Sequence, residues 1–373
     1  MKFIHTSDWQ IGMTRAFLSQ EAGARFAQAR IDTITRLGEL AREHDAAFMV
    51  VAGDVFESNQ LSRSTVARAL DAIAALPVPV LLLPGNHDPL DASSLFQTAA
   101  FSALGERVGV IRDGSPHPVP GHPDIEVVGA PWRSKRPATD QCADVLGALT
   151  PRDGRRRVFV GHGQVDTLAP DHSQPGVIAL AALEAALADG RVDYIALGDR
   201  HSVTRIGDSG RIWYSGAPLA TDFDETEPNH CLLVDLESAA VTPLTCGDWH
   251  FLATQQIIND DADVRRFRDW LDGLPMKARS IVKVGFTGTV SLATAADLDA
   301  CMEHAADAFA SLRRRSRTTD LAVVPDTLDE AAVALGGYAA ETWRDLLTAA
   351  GHDPVAQDAL RLMYRLAGGS SPQ

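Results

Sequence analysis

Short apolar runs separated by amphipathic stretches dominate the first half of the chain. The amphipathic stretches have helical spacing, as in the segment Ser62–Leu76 and in the series Ala27, Ile31, Ile34, Leu37 and Ala41. The apolar runs predict buried parallel strands, because both faces of such strands are covered. These runs are Phe3–Thr6, Phe48–Ala52, Val80–Leu83, Val158–Val160 and Tyr194–Leu197. The order of strands and helices predicts an α/β fold.

The pattern changes after the last of these runs. From Val203 to Leu244 strands follow one another without long helices between them, which predicts a second, more antiparallel sheet packed against the first. Proline and glycine residues between Asp113 and Asp124 predict a surface loop or a hairpin between two strands.

A further α/β unit is predicted beyond Gly247–His250. Its elements are the strand Phe251–Ile258, the helix Ala262–Leu271, the strand Ser280–Phe286, the helix Ala295–Leu312 and the strand Asp320–Val324. Two more helical patterns, Ala339–Ala350 and Val355–Leu366, are separated by Gly351–Pro354. We therefore predict a first domain over residues 1–248, a second over 249–328, C-terminal helices over 329–367 and a disordered tail over 368–373.

Polar residues suited to metal binding or proton transfer follow the apolar runs. They are Asp8 and Gln10, Asp54, Asn86 and His87, His162, and Asp199 and His201. In an open α/β sheet the carboxyl ends of the strands line one crevice, so we expect these side chains to converge. Side chains two residues apart in an extended stretch point the same way, so Asp8 and Gln10 would face the crevice while Trp9 faces away. The same argument applies to Asp199 and His201, with Arg200 facing away.

This set of residue types predicts a dinuclear metal centre. Two divalent cations about 3.5 to 4 Å apart activate a water and hold both oxygens of a phosphoryl displacement. Asp54 is the natural shared carboxylate, and His87 suits a general acid held beside the metals. Each residue taken alone has a simpler interpretation, since a single Asp after a strand is usually a helix cap and Asn86 or His162 could serve a turn. The ordered set favours the metal site.

The chain resembles the calcineurin-like metallophosphoesterases in the successive blocks FIHTSDWQIG, VVAGDVFES, LLLPGNHDP, VGHGQVD and ALGDRHS. Within that superfamily it is similar to the SbcD-type DNA-repair exonuclease subunits, because of the segments Gly129–Trp132, Trp213–Leu219 and Asp222–Glu225. The resemblance covers residues 1 to about 250. It implies a two-sheet metallophosphoesterase sandwich flanked by helices, with a small α/β capping domain and C-terminal helices.

The resemblance also implies a role for each candidate residue. One metal would be held by Asp8, Gln10, Asp54 and His201, and the other by Asp54, Asn86, His162 and Asp199. His87 would be the transition-state stabiliser and proton donor. Gln10 and Asp199 stand where the family usually has His, and both changes replace nitrogen with oxygen. Oxygen-rich sites suit manganese and magnesium, so we expect two Mn²⁺ ions, with Mg²⁺ as the alternative.

By the same resemblance, the partners would be DNA, an SMC-family ATPase of SbcC type that binds the C-terminal helices, and a second copy of the chain in a homodimer. Packing of those helices on their own chain is the alternative to docking. Two other functions stay open. One is a phosphoesterase acting on small nucleotides or phosphoproteins. The other is a degenerate, weakly catalytic subunit that holds DNA or the ATPase, and the reason to consider it is that Gln10 and Asp199 replace the usual His.

Composition adds three expectations. The four cysteines have no CxxC spacing and no apolar run approaches the ~20 residues of a membrane span, so we expect a cytoplasmic protein without membrane contact. The formal charge of −15 disfavours broad attraction to DNA, although basic clusters occur at Arg133, Lys135 and Arg136, at Arg155–Arg157 and at Arg313–Arg317. The first cluster is our candidate for DNA binding, and solvated loops are the alternative for any of them.

Overall fold

A computed structural model of the chain describes residues 1–169, 171, 176–324, 337–350, 353, 355–356, 359–360 and 362–363. The predicted tail 368–373 and much of the predicted segment 329–367 lie outside the described residues. The chain forms two compact units: Met1–Ala16 with Gly23–Trp249, and Phe17–Ala22 with the residues from His250 onward.

The first unit contains two six-stranded sheets. Its strands are β1 (Lys2–Thr6), β2 (Ala46–Val51), β3 (Val80–Leu82), β4 (Val108–Val110), β5 (His117–Val119), β6 (His122–Gly129), β7 (Arg156–His162), β8 (Tyr194–Gly198), β9 (Thr204–Ile206), β10 (Ile212–Tyr214), β11 (His230–Asp235) and β12 (Val241–Thr245). The helices are α1 (Gln20–Glu43), which begins in the second unit, α2 (Arg63–Ala74), α3 (Ala99–Ser102), α4 (Gln141–Ala148) and α5 (Leu180–Ala188). Strand order is β12-β11-β1-β2-β3-β4 in the first sheet and β5-β6-β7-β8-β10-β9 in the second.

The interior of the first unit lies between the two sheets. Phe3 stacks on Phe48 of the same sheet, with ring centroids 4.8 Å apart, and meets the edge of Tyr194 of the other sheet at 5.6 Å. The opposite face of the first sheet packs against α1 and α2 through residues such as Met49, and that of the second against α4 and α5 through residues such as Phe159. Both faces of the central strands are covered, which explains why their sequences are continuously apolar.

Two aspects of the predicted topology are wrong. The predicted crevice belongs to one open sheet, whereas β1, β2 and β3 lie in the first sheet and β7 and β8 in the second. The region Val203–Leu244 does not form a separate antiparallel sheet: β9 and β10 extend the second sheet, and β11 returns to pair antiparallel with β1. Cys231, Leu232 and Val234 in β11 are all buried, and a position beside β1 covers both faces of that strand. The predicted hairpin over Asp113–Asp124 is confirmed, because β5 and β6 pair antiparallel there.

The second unit is a smaller α/β layer. Its elements are β13 (His250–Ile257), α6 (Asp261–Gly273), β14 (Ser280–Ser291), α7 (Leu292–Ala306), β15 (Ser311–Arg314), β16 (Asp320–Val324) and α8 (Tyr338–Ala350). The long strand β14 pairs in parallel with β13, with β15 along its first half and with β16 along its second half.

One helix of this unit is shorter than the sequence predicts. The helix predicted over Ala295–Leu312 ends at Ala306, and Ser311–Arg314 is a strand instead. Leu312 packs on the core of the unit from that strand, so tertiary pairing with β14 overrides the local helical pattern. Further along, Trp343 of α8 is buried and packs with Leu360. No helix in the described part of the chain is long and apolar enough to cross a membrane.

Candidate metal centre

The loops after β1 and β2 run side by side and carry the first candidate ligands. Parallel pairing continues beyond the strands, because the amides of Asp8, Gln10 and Ile11 donate to Gly53 O, Asp54 O and Val55 O at 3.0, 3.0 and 2.9 Å. The backbone of each loop is therefore fixed by the other. This pairing brings Gln10 Nε2 to 3.1 Å from Asp54 Oδ2.

Four of the candidate ligands stand on left-handed backbone rather than on extended strand. The φ angles are 52° at Asp8, 49° at Gln10, 53° at Asp54 and 96° at Asp199. The alternation argument for Asp8 and Gln10 is therefore wrong in its reason, although both side chains reach the cluster. Non-glycine residues in this region are strained, and such strain is concentrated at functional sites.

The end of β7 and the loop after β8 bring residues of the second sheet to the same place. His162 Nδ1 lies 2.8 Å from Ala52 O, and because a carbonyl only accepts, Nδ1 is the donor. Its Nε2 then faces the cluster, 3.4 Å from Asp54 Oδ1 and 3.8 Å from Asp199 Oδ1. His201 Nε2 lies 3.6 Å from Asp8 Oδ1, and the Asp199 amide donates to Asp8 Oδ2 at 3.1 Å.

Glycines allow the loops to approach this closely. A Cβ at Gly53 would collide with the His162 ring, one at Gly85 with the Asp54 carboxylate, and one at Gly198 with Ala52 O. At Gly85 and Gly198 the requirement is purely steric, whereas Gly53 also has a φ of +92°. The glycines that precede the ligands in sequence are thus part of the geometry of the site.

Several observations fit a cation among these donors. Ligand atoms of Asp8, Asp54 and His162 lie within 4.8 Å of one another. Gln10 Oε1 is buried without a hydrogen-bond partner, which is costly for a carbonyl oxygen unless something else binds it. Asn86 Oδ1 lies 2.8 Å from His162 Nε2 and also faces the carboxylate of Asp54. The Asn86 amide could donate to these atoms only if it rotated by 180°. Oxygen and nitrogen acceptors facing one another are the arrangement that a divalent cation resolves.

The electrostatics of the cluster point the same way. Burial opposes charge on His201, but hydrogen bonds and charge from Asp8 and Glu225 outweigh it and raise the pKa of His201 to about 10. Burial likewise opposes charge on Asp8, yet His201 and His162 lower the pKa of that carboxyl. Desolvation raises the pKa of Asp199. Buried carboxylates thus draw positive charge into the site, and a divalent cation supplies that charge in place of protons.

His87 lies at the open side of the cluster. Its amide donates to Asp54 Oδ1 at 3.0 Å, and its Nδ1 lies 3.1 Å from Glu57 O, so Nδ1 donates there. The ring Nε2 lies 3.9 Å from Asp54 Oδ2, and 39% of the side chain is exposed. The loop that carries His87 is tied by Asp88, which accepts from the amides of Phe56 and Gly85 at 2.9 and 2.7 Å. His87 thus adjoins the ligands and remains accessible.

Sequence reasoning did not assign a role to some residues behind the ligands. Ser7 Oγ donates to Asp8 Oδ2 at 2.6 Å, and His201 Nδ1 lies 2.6 Å from Thr221 Oγ1 and 3.1 Å from Glu225 Oε1. No spacing rule marks such residues, since they contact ligands rather than metal. Trp9 is buried in the core, and Arg200 Nε donates to Thr204 Oγ1.

The basic clusters differ in what surrounds them. Arg133, Lys135 and Arg136 are exposed, and they follow Trp132, whose Nε1 donates to His162 O at 2.8 Å. By contrast, Arg155–Arg157 are held by ion pairs to the buried carboxylates of Glu126 and Asp193. The second cluster is therefore structural, while the first begins directly beside a candidate ligand.

Comparison with known proteins agrees with this geometry. A family profile described as calcineurin-like phosphoesterase matches residues 1–203. The SbcD subunit of nuclease SbcCD from Escherichia coli (strain K12) is 25% identical over 256 residues, which cover 60% of this chain and 62% of that protein. The corresponding subunit from Rhodobacter capsulatus is 28% identical over 286 residues, or 64% and 67% of the two chains. The chain thus spans about 62% of the length of the first of these relatives.

Solved structures are similar to the chain at lower identity. A dimetal phosphatase from Danio rerio superposes with a TM-score of 0.41 and 15% identity, covering 66% of this chain and 99% of that one. The protein TT1561 of Thermus thermophilus superposes with a TM-score of 0.43 and 11% identity, covering 66% and 98%.

Proposed function

Because the chain belongs to the calcineurin-like phosphoesterase family, we propose that it is a metal-dependent phosphodiesterase that cleaves DNA as the nuclease subunit of an SbcCD-type repair complex. One observation carries the chemistry: buried carboxylate, amide and imidazole groups from both sheets face one another, with Gln10 Oε1 among them and unpartnered. The relatives named as subunits of nuclease SbcCD are what favours DNA as the substrate.

We assign the residues of the cluster to two divalent cations. Asp8, Gln10, Asp54 and His201 would hold the first, and Asp54, Asn86, His162 and Asp199 the second. Such a pair, when bound, neutralises the charge that develops on a phosphoryl group and lowers the pKa of water. Oxygen donors outnumber nitrogen donors in both sets, which favours Mn²⁺, with Mg²⁺ as the alternative.

The remaining chemistry belongs to side chains of the protein. Glu57 O accepts from His87 Nδ1 and so leaves His87 Nε2 to carry a proton to the departing oxygen of the broken bond. Ser7 and the Asp199 amide donate to Asp8 and hold that carboxylate in position. Arg133, Lys135 and Arg136 would bind backbone phosphates of DNA at the rim of the site.

The DNA contact can be tested with alanine variants of the first two basic clusters. Replacing Arg133, Lys135 and Arg136 with Ala should weaken DNA binding and reduce its dependence on salt, because each phosphate contact releases counterions. The control replaces Arg155 and Arg156, whose side chains are 50% and 48% exposed but are paired to Glu126 and Asp193. If DNA binding by both variants has the same salt dependence, the first cluster does not contact DNA.

The wider assembly is part of the same proposal. An SbcC-type ATPase would bind the C-terminal helices, residues 249–328 would cap the active site, and the chain would act as a homodimer. We locate this complex in the cytoplasm, in keeping with the free state of all four cysteines.

The deciding experiment combines metal titration with a nuclease assay. The purified chain should bind two Mn²⁺ ions and cleave DNA, and a chelator should abolish cleavage. If the chain does not bind two cations in excess manganese and does not cleave DNA, the degenerate subunit is favoured. Gln10 and Asp199, which replace the usual His, are the reason to consider that alternative. Binding of two cations with cleavage of small phosphodiesters but not of DNA would favour an enzyme of small substrates.

A further inference from the structure

The back of the His201 ring meets two acceptors on one short segment. His201 Nδ1 lies 2.6 Å from Thr221 Oγ1 and 3.1 Å from Glu225 Oε1. The Thr221 hydroxyl itself donates to Glu225 Oε1, so its oxygen is left to accept. Both neighbours of Nδ1 are then acceptors, and Nδ1 must carry the hydrogen. The lone pair of the neutral ring is therefore on Nε2, the atom that faces Asp8 at 3.6 Å.

The segment that carries these acceptors is itself firmly held. The Thr221 amide donates to Glu225 Oε2 at 2.9 Å, and the Ala220 amide donates to Asn229 Oδ1 at 2.9 Å. The buried guanidinium of Arg30 donates to Ala220 O, and Arg15 Nε donates to Thr221 O at 3.1 Å. The Glu225 side chain is 6% exposed. Side chains locked in this way fix the ring that they contact.

The chemistry of the neighbouring donors gives this contact a particular importance. Each ligand set that we assign has two carboxylates, one neutral amide and one imidazole, and the imidazole of the first set is His201. A carboxylate that accepts from the far nitrogen of a histidine fixes its tautomer and raises its strength as a donor. The first cation would therefore depend on Glu225 more strongly than the second, whose imidazole, His162, is backed by the carbonyl of Ala52.

We propose that Glu225, acting together with Thr221, is a positioning residue that orients His201 toward the first cation and strengthens its Nε2 as a donor. This inference rests on the proposed function only in that it requires the cluster to bind divalent cations. It assigns Glu225 no contact with metal or substrate. The carboxylate and the Thr221 hydroxyl form one unit with the ring, so the loss of either weakens the same cation.

The test is calorimetric titration of the full chain with Mn²⁺ alone. Glu225→Ala should weaken binding of one cation by about 10- to 100-fold and leave the other unchanged. Glu225→Gln keeps an oxygen that accepts from Nδ1 but loses the charge, so it should restore most of the affinity. Thr221→Val should weaken the same cation as Glu225→Ala. Glu227→Gln, at an exposed carboxylate two residues away, is the matched control and should change neither cation.

Separate outcomes distinguish the two proposals. Wild-type protein that binds no Mn²⁺ overturns the proposed function. Wild-type protein that binds two cations, with Glu225→Ala and Thr221→Val unchanged or with both cations weakened equally, overturns the positioning role. If Glu225→Ala unfolds, Thr221→Val decides, because it retains most of the packing.

Discussion

The Gln10 side chain contacts a candidate ligand through its nitrogen and has a side-chain oxygen without a hydrogen-bond partner. Its Nε2 donates to the carboxylate of Asp54, while Oε1 is buried without a partner. An amide oxygen is a neutral donor and binds Mn²⁺ more weakly than an imidazole nitrogen does. The first cation, which Gln10 would share with Asp8, Asp54 and His201, should therefore be held more weakly than it would be with an imidazole at this position.

We expect Gln10→His to tighten the first cation several-fold and to raise the rate of DNA cleavage at limiting manganese, because an imidazole returns to this position. Calorimetric titration and an activity curve against manganese concentration measure both effects. The exposed Gln60, changed to His, serves as the control. Unchanged affinity and unchanged rate in Gln10→His would mean that Gln10 is not a ligand.

His87 and Asp54 adjoin each other yet should fail in different ways. His87→Ala removes a proton donor and no ligand, so the protein should still bind two Mn²⁺ ions while DNA cleavage slows by roughly 10² to 10⁴-fold. Asp54→Ala removes the shared carboxylate and should lose metal and activity together. Metal content and single-turnover cleavage distinguish the two. Wild-type turnover in His87→Ala would rule out the assigned role.

At the scale of secondary structure, the site depends on how closely the ends of strands from the two sheets approach. Gly198 ends β8, and a Cβ there would lie 2.7 Å from Ser7 Cβ and 2.9 Å from His162 Nδ1 besides colliding with Ala52 O. The backbone oxygen cannot rotate away as a side chain would. Any residue larger than glycine must therefore separate the two sheets at the metal cluster.

Gly198→Ala should destabilise the protein by about 1 to 3 kcal/mol, the usual cost of overpacking, and should reduce DNA cleavage because Ser7 and His162 shift. The control is Gly147→Ala in α4, where a Cβ meets nothing within 4 Å and a helical alanine is favoured. Urea unfolding and an activity assay check the pair. Equal stability and activity of both variants would contradict the steric account.

The strands and the identity of the polar residues at their ends could be predicted from the sequence, because burial on both faces leaves a continuous apolar run. The assignment of strands to sheets could not, since β8 and β2 have the same kind of pattern yet lie in different sheets. Local sequence also gave no sign that Asp8 and Gln10 adopt left-handed backbone, which depends on pairing with Gly53 and Asp54. Glu225 could not be found because its only signature is a contact with His201.

At the scale of the whole molecule, the net charge of −15 and a DNA substrate are compatible only if negative charge is neutralised locally. Asp8, Asp54 and Asp199 contribute to that charge at the site itself, and two divalent cations would reverse its sign there. The charges of Arg155–Arg157 are paired with Glu126 and Asp193. Cleavage should therefore depend on manganese for substrate binding as well as for chemistry.

The C-terminal segment offers a separate prediction about the ATPase partner. Trp343 and Leu360 are buried together, whereas Val355 and Leu362 are exposed, at 73% and 52%. If the exposed residues dock on the ATPase, Val355→Asp with Leu362→Asp should abolish co-purification with it and leave Mn²⁺ binding and the melting temperature unchanged. Exposed Leu292, in α7, changed to Asp is the control. Undiminished co-purification would place the docking surface elsewhere.

The hydrogen bond between the Asp199 amide and Asp8 joins residues 191 positions apart in the chain, and this separation bears on folding kinetics. Contacts so distant in sequence form only after the two sheets have assembled, because the entropy of closing the long loop must be overcome first. We therefore expect the cluster to form late in folding, after the stage at which Mn²⁺ could guide it. Stabilisation that arises after the transition state slows unfolding and leaves refolding almost unchanged. Manganese would then act chiefly on the lifetime of the folded enzyme.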